Sequence, residues 1–220
     1  MIRMKQLFKA TRMLREGGPL GDAAILKADA LGVRATPSTE VQLEGVRGYL
    51  PRIDIAALRG LPGGTLGHEY AQFLDKNGLV PFTVSADFDP EILRRNTFAA
   101  RYAVTHDMFH VLTGFDTSWA GEMGVLAFAA AQGYTRAQRF LGLPLAALLY
   151  PLFSPRQAIA VFRALRRGWR MGKRARFLLG VRLEEHFDRP IADLRAELGI
   201  ELPAAPPSYK GLIRAAPPPA

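Results

Sequence analysis

The chain has 220 residues, of which 49% are hydrophobic and 22% charged, and it contains no cysteine. This size and composition suffice for a buried core and exclude disordered and fibrous classes, and the lack of cysteine excludes disulfides, thiolate zinc sites, iron–sulfur clusters and cysteine nucleophiles. Lysines and arginines (29) outnumber aspartates and glutamates (20), and the net charge of +9 favours a polyanionic partner, either nucleic acid or an anionic membrane.

Residues 1–16 interleave five basic side chains with apolar ones and predict a first helix. The segment lacks the continuous apolar core of a secretory signal, so we expect this helix in the mature protein. An arginine-rich amphipathic start is also typical of a transit peptide, and that alternative stays open.

Helical periodicity continues along the chain, and only short stretches at 41–49 and 80–84 could form strands. We therefore expect an all-α fold: a single-domain, multi-helix bundle over residues 1–202, with short non-helical loops near the N-terminus. Proline and alanine dominate residues 203–220, which predicts a disordered tail.

The first strong helix signal is Asp89 followed by Pro90, a helix-capping residue before a proline at the first helical position. The pattern predicts one helix from this point to about Thr113, ended by Gly114. Thr117 and Ser118 can cap the next helix, which carries Glu122.

Four potential metal ligands belong to these two helices. His106, Asp107 and His110 fall on one face of the first helix, and Glu122 of the antiparallel partner can face the same point. Two imidazoles and two carboxylates suit Zn²⁺, and also Fe, Mn or Co. Small residues on the same stripe of the first helix predict room for a substrate beside the metal, and the second helix behaves alike from Gly124 to Ala131. The first-helix residues are Asn96, Ala99 and Ala103.

The same residues also allow other interpretations. The side chains could form a hydrogen-bonded structural cluster without a metal. The spacing is also close to the His-Glu-x-x-His protease motif, but Asp107 stands where the catalytic glutamate belongs, which disfavours protease chemistry. A metal-dependent hydrolase of the HD phosphohydrolase type is the best hydrolytic alternative.

The positive charge is concentrated in one part of the chain, because no acidic residue lies between Glu122 and Glu184 while 11 basic ones do. Several of these share one side of a predicted helix and a tryptophan lies at the border of that side, which is typical of a helix lying on an anionic membrane. A solvated basic face and nucleic-acid binding are the alternatives, although no nucleic-acid fingerprint accompanies the charge. The membrane-surface set is Arg163, Arg166, Arg167, Trp169, Arg170, Lys173 and Arg174.

Several separated blocks of the sequence resemble the coenzyme Q (ubiquinone) biosynthesis protein 4 family in order and spacing. HDMFH followed by eleven residues and Glu122 is similar to the family's His-Asp-x-x-His-x11-Glu signature. The similarity extends to GTLGHEYAQFLDKNGLVP (64–81), RYAVTHDMFHVLTGF (101–115), TSWAGE (117–122) and LRAELGI (194–200). Two features differ from the family pattern. Phe187 stands where the family has an aromatic residue that is often tryptophan, and the proline- and alanine-rich tail after Ile200 extends past the usual end of family members.

The resemblance implies a helical ubiquinone biosynthesis protein that holds a divalent metal, with zinc expected, through His106, Asp107, His110 and Glu122. It further implies a lyase that decarboxylates a polyprenylated hydroxybenzoate-derived precursor, with oxidation at the same ring carbon. A non-catalytic scaffold that binds lipid and organises the biosynthetic complex is the alternative function.

We also expect the following setting from the resemblance. The protein is peripheral, on the cytoplasmic face of the inner membrane or, in a eukaryote, on the matrix face of the mitochondrial inner membrane. Its partners are the prenylated precursor, the anionic membrane surface, other ubiquinone biosynthesis enzymes and further copies of itself, with no nucleic acid. From its own composition, the uncharged run 140–154 is the candidate surface that would receive the polyprenyl chain or enter the membrane interface, with ordinary core as the alternative.

Overall fold

The computed structural model describes residues 3–153, 155 and 158–202. These residues form eleven α-helices with short 3₁₀ and π segments and no strand, which confirms the all-α prediction. The helices are α1 Met4–Arg15, α2 Leu20–Ala30, α3 Pro37–Gln42, α4 Ile55–Arg59, α5 Leu66–Asn77, α6 Pro90–Arg95, α7 Thr97–Thr113, α8 Trp119–Gln132, α9 Leu143–Phe153, α10 Ala158–Arg174 and α11 Ile191–Leu198.

The chain divides into two compact units, and the division passes through α7 after Met108. Unit 1 comprises residues 1–108 and 177–191. Ion pairs connect its segments: the buried carboxylate of Asp29 in α2 binds the partly exposed Arg3, Arg34 and Arg95. Arg101 of α7 and Glu184 form a pair in which both side chains are buried.

Unit 2 comprises residues 109–176 and 192–220, and its core is the close packing of α8 along α10. Gly168 of α10 lies against the backbone of Gly124 of α8, so that a Cβ at Gly168 would stand 2.0 Å from the Gly124 carbonyl oxygen. Only glycine permits this approach of two helix backbones. Helix α9 contacts both α8 and α10.

The predicted helix from Asp89 to Thr113 is interrupted in the structure at Asn96, whose φ of −133° and ψ of 53° are not helical. The buried Asn96 side chain donates to the Val33 carbonyl and accepts from the Ala99 backbone N–H. The prediction of one continuous helix is therefore wrong, because this asparagine exchanges helical backbone geometry for tertiary and capping hydrogen bonds.

The other helix signals are confirmed where the structure describes them. Asp89 and Ser118 cap their helices, and Gly114 ends α7 with a φ of +66°. Residues 41–48 are helical or turn, and residue 49 and residues 80–84 lack regular structure, so neither stretch is a strand. The predicted tail at 203–220 lies outside the described residues. Across the described ranges, no helix has the length and apolarity needed to span a bilayer.

Candidate metal centre

The turn between α7 and α8 brings two predicted ligands together. Gly114 reverses the chain in the left-handed conformation, and its N–H donates to the His110 carbonyl at 2.8 Å. The side chain of Asp116 accepts from the Ser118 backbone N–H at 3.1 Å, and Ser118 then caps α8. Because α8 begins immediately after this turn, Glu122 in its first turn lies beside His110 at the end of α7.

His110 and Glu122 form the best-defined pair of the site. The His110 Nε2 atom lies 3.3 Å from Glu122 Oε1. The His110 side chain is 1% exposed, whereas that of Glu122 is 34% exposed. The pair is thus anchored in the core at its histidine and reachable from solvent at its carboxylate.

The tautomer of His110 follows from its second contact. Its Nδ1 atom lies 3.2 Å from the Phe115 carbonyl oxygen. A carbonyl oxygen only accepts hydrogen bonds, so Nδ1 carries a proton and donates. In the neutral imidazole the Nε2 lone pair then points at a carboxylate oxygen, and only a proton or a metal cation between these two atoms makes that contact favourable.

His106 supplies a third donor one turn earlier on α7. One ligand atom from each of His106, His110 and Glu122 lies within 4.8 Å of the others. Two ligands of one tetrahedral zinc ion are about 3.3 Å apart for bonds of about 2.0 Å, which matches the His110–Glu122 separation. Two imidazoles and a carboxylate with a solvent-facing side suit zinc and also Fe, Mn or Co. The residues therefore fit the metal that the sequence analysis implied.

Asp107, the fourth predicted ligand, is not one of these three converging residues. It is buried in unit 1, where its charge acts on the Tyr70 hydroxyl. Burial raises the pKa of Tyr70 well above its usual value, and the carboxylates of Asp107 and Glu184 add to the rise. A ligand role for Asp107 stays a prediction.

Tyr70 is a residue that sequence reasoning did not single out. Its side chain is completely buried and stacks on Phe187 with the ring centroids 6.0 Å apart. No hydrogen bond to its hydroxyl is found in the part of the chain that the structure describes. The GHEY block that carries Tyr70 resembled the family without indicating a role for this hydroxyl.

The small residues of α8 do not leave space for a substrate. A Cβ at Gly124 would stand 2.3 Å from the Phe115 ring, and Ala127, Ala129 and Ala130 are fully buried. The prediction of substrate room along this helix is wrong, because the Phe115 ring and α10 already occupy the volume beside these residues.

Most of the predicted membrane-surface residues lie on the outer side of α10. Five are exposed, and Trp169 is half-buried with the Arg139 guanidinium 5.9 Å from its ring centroid. The exposed ones are Arg163, Arg166, Arg170, Lys173 and Arg174.

Arg167 differs from its neighbours because it turns inward. Its Nη2 donates to the Thr113 carbonyl at 2.7 Å, and its guanidinium lies 4.3 Å from the Phe115 ring centroid. The helical pattern grouped Arg167 with the surface set, since sequence spacing does not distinguish the edge of a basic face from its centre.

Exposed apolar side chains accompany this basic face in unit 2. They belong to the uncharged run and to the start of α10. Because these side chains are exposed, the described part of the uncharged run does not serve only as ordinary core. The exposed apolar set is Phe140, Leu141, Leu145, Leu148, Ile159 and Phe162.

Comparison with known proteins identifies relatives over most of the chain. The sequence model of the family "Coenzyme Q (ubiquinone) biosynthesis protein Coq4" matches residues 50–204. The mouse mitochondrial ubiquinone biosynthesis protein COQ4 homolog is 33% identical over 178 residues, which cover 79% of this chain and 63% of the mouse protein. The zebrafish homolog is 33% identical over 168 residues, covering 74% of this chain and 59% of its own. The chain thus spans less than two thirds of these relatives' length.

A solved structure shares the fold. The crystal structure of a Nostoc punctiforme protein, whose name links it to ubiquinone biosynthesis, superposes with a TM-score of 0.64. The match covers 92% of this chain and 100% of the other at 22% sequence identity.

Proposed function

The chain belongs to the coenzyme Q (ubiquinone) biosynthesis protein Coq4 family, and from this membership and the site geometry we propose that it acts in ubiquinone biosynthesis as a metal-dependent decarboxylase. The substrate we propose is a polyprenylated precursor that retains the carboxyl group of a hydroxybenzoate ring. The single observation that carries the catalytic proposal is the position of the His110 Nε2 atom, 3.3 Å from Glu122 Oε1, while Nδ1 contacts the Phe115 carbonyl.

The proposed reaction breaks the bond between the ring carbon and its carboxyl group. Carbon dioxide leaves, the electron pair stays on the ring carbon, and a proton from solvent replaces the carboxyl group there. A divalent cation, with zinc expected, supplies Lewis acidity toward a carboxylate or phenolate oxygen when bound. His106, His110 and Glu122 would hold the cation, and the exposed side of Glu122 leaves the site open to the substrate.

The exposed surface of unit 2 supports membrane association. The five exposed basic residues of α10 occur in the same unit as the exposed apolar set defined above. Each lysine or arginine near an anionic bilayer contributes about 1 kcal/mol, and apolar side chains add to binding by entering the interface. A peripheral location would give a membrane-soluble prenylated substrate access to the protein.

Metal content and turnover of the purified protein test the catalytic proposal directly. We expect about one divalent cation per chain by elemental analysis, lost in His110→Ala and Glu122→Ala and retained in the control His186→Ala. A short-chain prenylated hydroxybenzoate should release carbon dioxide with the wild-type protein and not with the two ligand variants. Parallel aerobic and anaerobic assays separate simple decarboxylation from an oxidative form in which a hydroxyl replaces the carboxyl group.

A cellular assay separates catalysis from a scaffold role. In cells that lack their own family member, the wild-type chain should restore ubiquinone, and the ligand variants should accumulate the carboxylated prenylated precursor. Normal ubiquinone with Glu122→Ala would refute the catalytic proposal. The scaffold role would be favoured if the ligand variants lost both thermal stability and co-purification with partner enzymes while the purified wild type showed no turnover. Phosphate release from a prenyl phosphate would favour the hydrolase instead.

Vesicle binding tests the membrane surface. Sedimentation with phosphatidylserine-containing vesicles should weaken in Arg163→Gln/Arg170→Gln. The control Arg12→Gln/Arg59→Gln removes the same charge from exposed arginines outside unit 2. Equal weakening by both double variants would show that net charge alone, rather than this surface, drives binding. Self-association, tested by light scattering, and association with other enzymes of the pathway are proposed on the family relationship.

A further inference from the structure

We infer that Arg167 is a positioning residue for the metal ligand His110, acting through Phe115. The inference rests on the proposed metal centre. It goes beyond that proposal by assigning the residue that orients one of its ligands. A continuous series of contacts within unit 2 runs from Arg167 to Phe115 and from Phe115 to His110.

Arg167 contacts the turn after α7 at two points. Its Nη2 donates to the carbonyl of Thr113, the last residue of the helix, at 2.7 Å. Its guanidinium lies over the Phe115 ring at 4.3 Å from the centroid, a cation–π distance. Gly114 lies between these contacts with a φ of +66°, so one side chain spans the whole reversal of the chain.

The Phe115 ring is enclosed on its other sides. It is 2% exposed and rests against Gly124 of α8, where a Cβ would stand 2.3 Å from the ring. Gly124 in turn contacts Gly168 of α10, the residue that follows Arg167. The Phe115 ring therefore lies between the Gly124 backbone on one side and the Arg167 guanidinium on the other.

The backbone of Phe115 transmits this position to His110. The Phe115 carbonyl accepts the Nδ1–H of His110 at 3.2 Å, which selects the tautomer whose Nε2 lone pair faces Glu122. Hydrogen bonds of this kind orient metal-binding histidines, and their loss weakens metal affinity about 10- to 100-fold. Because the acceptor is a backbone atom, the orientation of His110 depends on the side chains that hold the Phe115 peptide in place.

Arg195 offers a matched control at the same helix end. It donates to the carbonyls of Leu112 and Val111 at 2.9 and 2.8 Å. Its substitution removes arginine hydrogen bonds from the end of α7, as substitution of Arg167 does, but leaves the cation–π contact with Phe115 in place.

The experiment compares zinc affinity, by competition with a chromogenic chelator, in the full-length wild type, Arg167→Met, Arg167→Lys and Arg195→Met. We expect about 10-fold weaker binding for Arg167→Met, a smaller loss for Arg167→Lys, and wild-type affinity for Arg195→Met. The Co²⁺ absorption bands should shift only in the Arg167 variants. Equal affinity in Arg167→Met and wild type, with circular dichroism showing both folded, would overturn the inference.

Nitrogen-15 NMR of the His110 ring without metal keeps the two proposals distinguishable. We expect the Nδ1–H tautomer in wild type and in Arg195→Met, and a mixture of tautomers in Arg167→Met. If the tautomers are as expected but the wild type binds no zinc, the proposed metal centre is refuted and the positioning of His110 by Arg167 is still supported. An unchanged tautomer in Arg167→Met would refute the positioning role even if the wild type binds zinc. If Arg167→Met does not fold, Phe115→Leu takes its place, because it keeps the backbone acceptor but removes the ring. We expect it to show a mixture of tautomers, and the Nδ1–H tautomer alone would refute the positioning role.

Discussion

Replacing Glu184 by glutamine should destabilise unit 1 strongly, because it removes the charge that compensates a buried guanidinium. Arg101 is 0% exposed and Glu184 3% exposed, and two hydrogen bonds of 2.7 and 3.1 Å join them. Arg101 also donates to the Val181 carbonyl at 3.0 Å, and its guanidinium lies 5.4 Å from the Tyr49 ring centroid. These two contacts remain in the variant.

The magnitude follows from that burial. Removing one partner of a buried ion pair costs about 3–5 kcal/mol, since the other charge stays in a site of low polarity. Glutamine can still accept one hydrogen bond from Arg101, which favours the lower end, about 3 kcal/mol. In a chain of this length, 1 kcal/mol corresponds to about 2–4 °C in Tm, so Glu184→Gln should lower Tm by about 6–12 °C.

Thermal unfolding followed by circular dichroism measures this effect against Glu185→Gln. Glu185 pairs with Arg182 at 3.1 Å on the surface, where loss of a pair costs less than about 1 kcal/mol. Replacing both buried partners, as in Arg101→Met/Glu184→Leu, should cost less than Glu184→Gln alone, because no uncompensated charge remains. Equal Tm values for Glu184→Gln and Glu185→Gln would refute the reasoning.

Three further predictions concern other buried features. Burial raises the pKa of Asp29, but the hydrogen bond from Arg95 and the nearby arginine charges outweigh it and lower the pKa overall. The stabilisation from Asp29 should therefore be complete above about pH 4 and decline as the pH falls through the lowered pKa, so the Tm difference between wild type and Asp29→Asn should shrink in acid. Gly168→Ala should lower the free energy of unfolding by about 1–3 kcal/mol, because its Cβ meets the Gly124 carbonyl. The control Gly45→Ala adds a Cβ that meets no atom within 4 Å and should leave the free energy of unfolding unchanged. Equal urea midpoints for these two variants would contradict the prediction. Tyr70→Phe removes a buried hydroxyl that has no hydrogen bond among the described residues, so the free energy of unfolding should stay equal or rise. A fall of more than about 1 kcal/mol would show that the hydroxyl is hydrogen-bonded.

The helical class and several helix ends were predictable because their signals are local. Ser118 accepts from the Gly121 N–H, and Gly114 takes the left-handed conformation that non-glycine residues rarely adopt. The break at Asn96 was not predictable, since the asparagine bonds to the Val33 carbonyl, which is distant in sequence. Residues 89–113 therefore form two helices despite a continuous helical pattern.

Spacing along a helix predicted part of the site. His106 and His110 are one turn apart, so their convergence follows from helix geometry, and the short capped turn places Glu122 beside them. The position of Asp107 depends on which side of α7 packs within unit 1, and helix periodicity does not specify that. Arg167 turns inward to contact Thr113 and Phe115, which are more than 50 positions away in sequence.

The sequence by itself determined the helical class, the family and the two histidines with their carboxylate partner, because capping, periodicity and i, i+4 spacing act over a few residues. Only the tertiary structure decided that the Phe115 carbonyl faces His110 Nδ1, that Arg167 lies over the Phe115 ring and that Tyr70 is buried against Phe187. These contacts arise where separate segments of the chain pack. Which side of each helix becomes buried depends on the shapes of all the side chains that meet there.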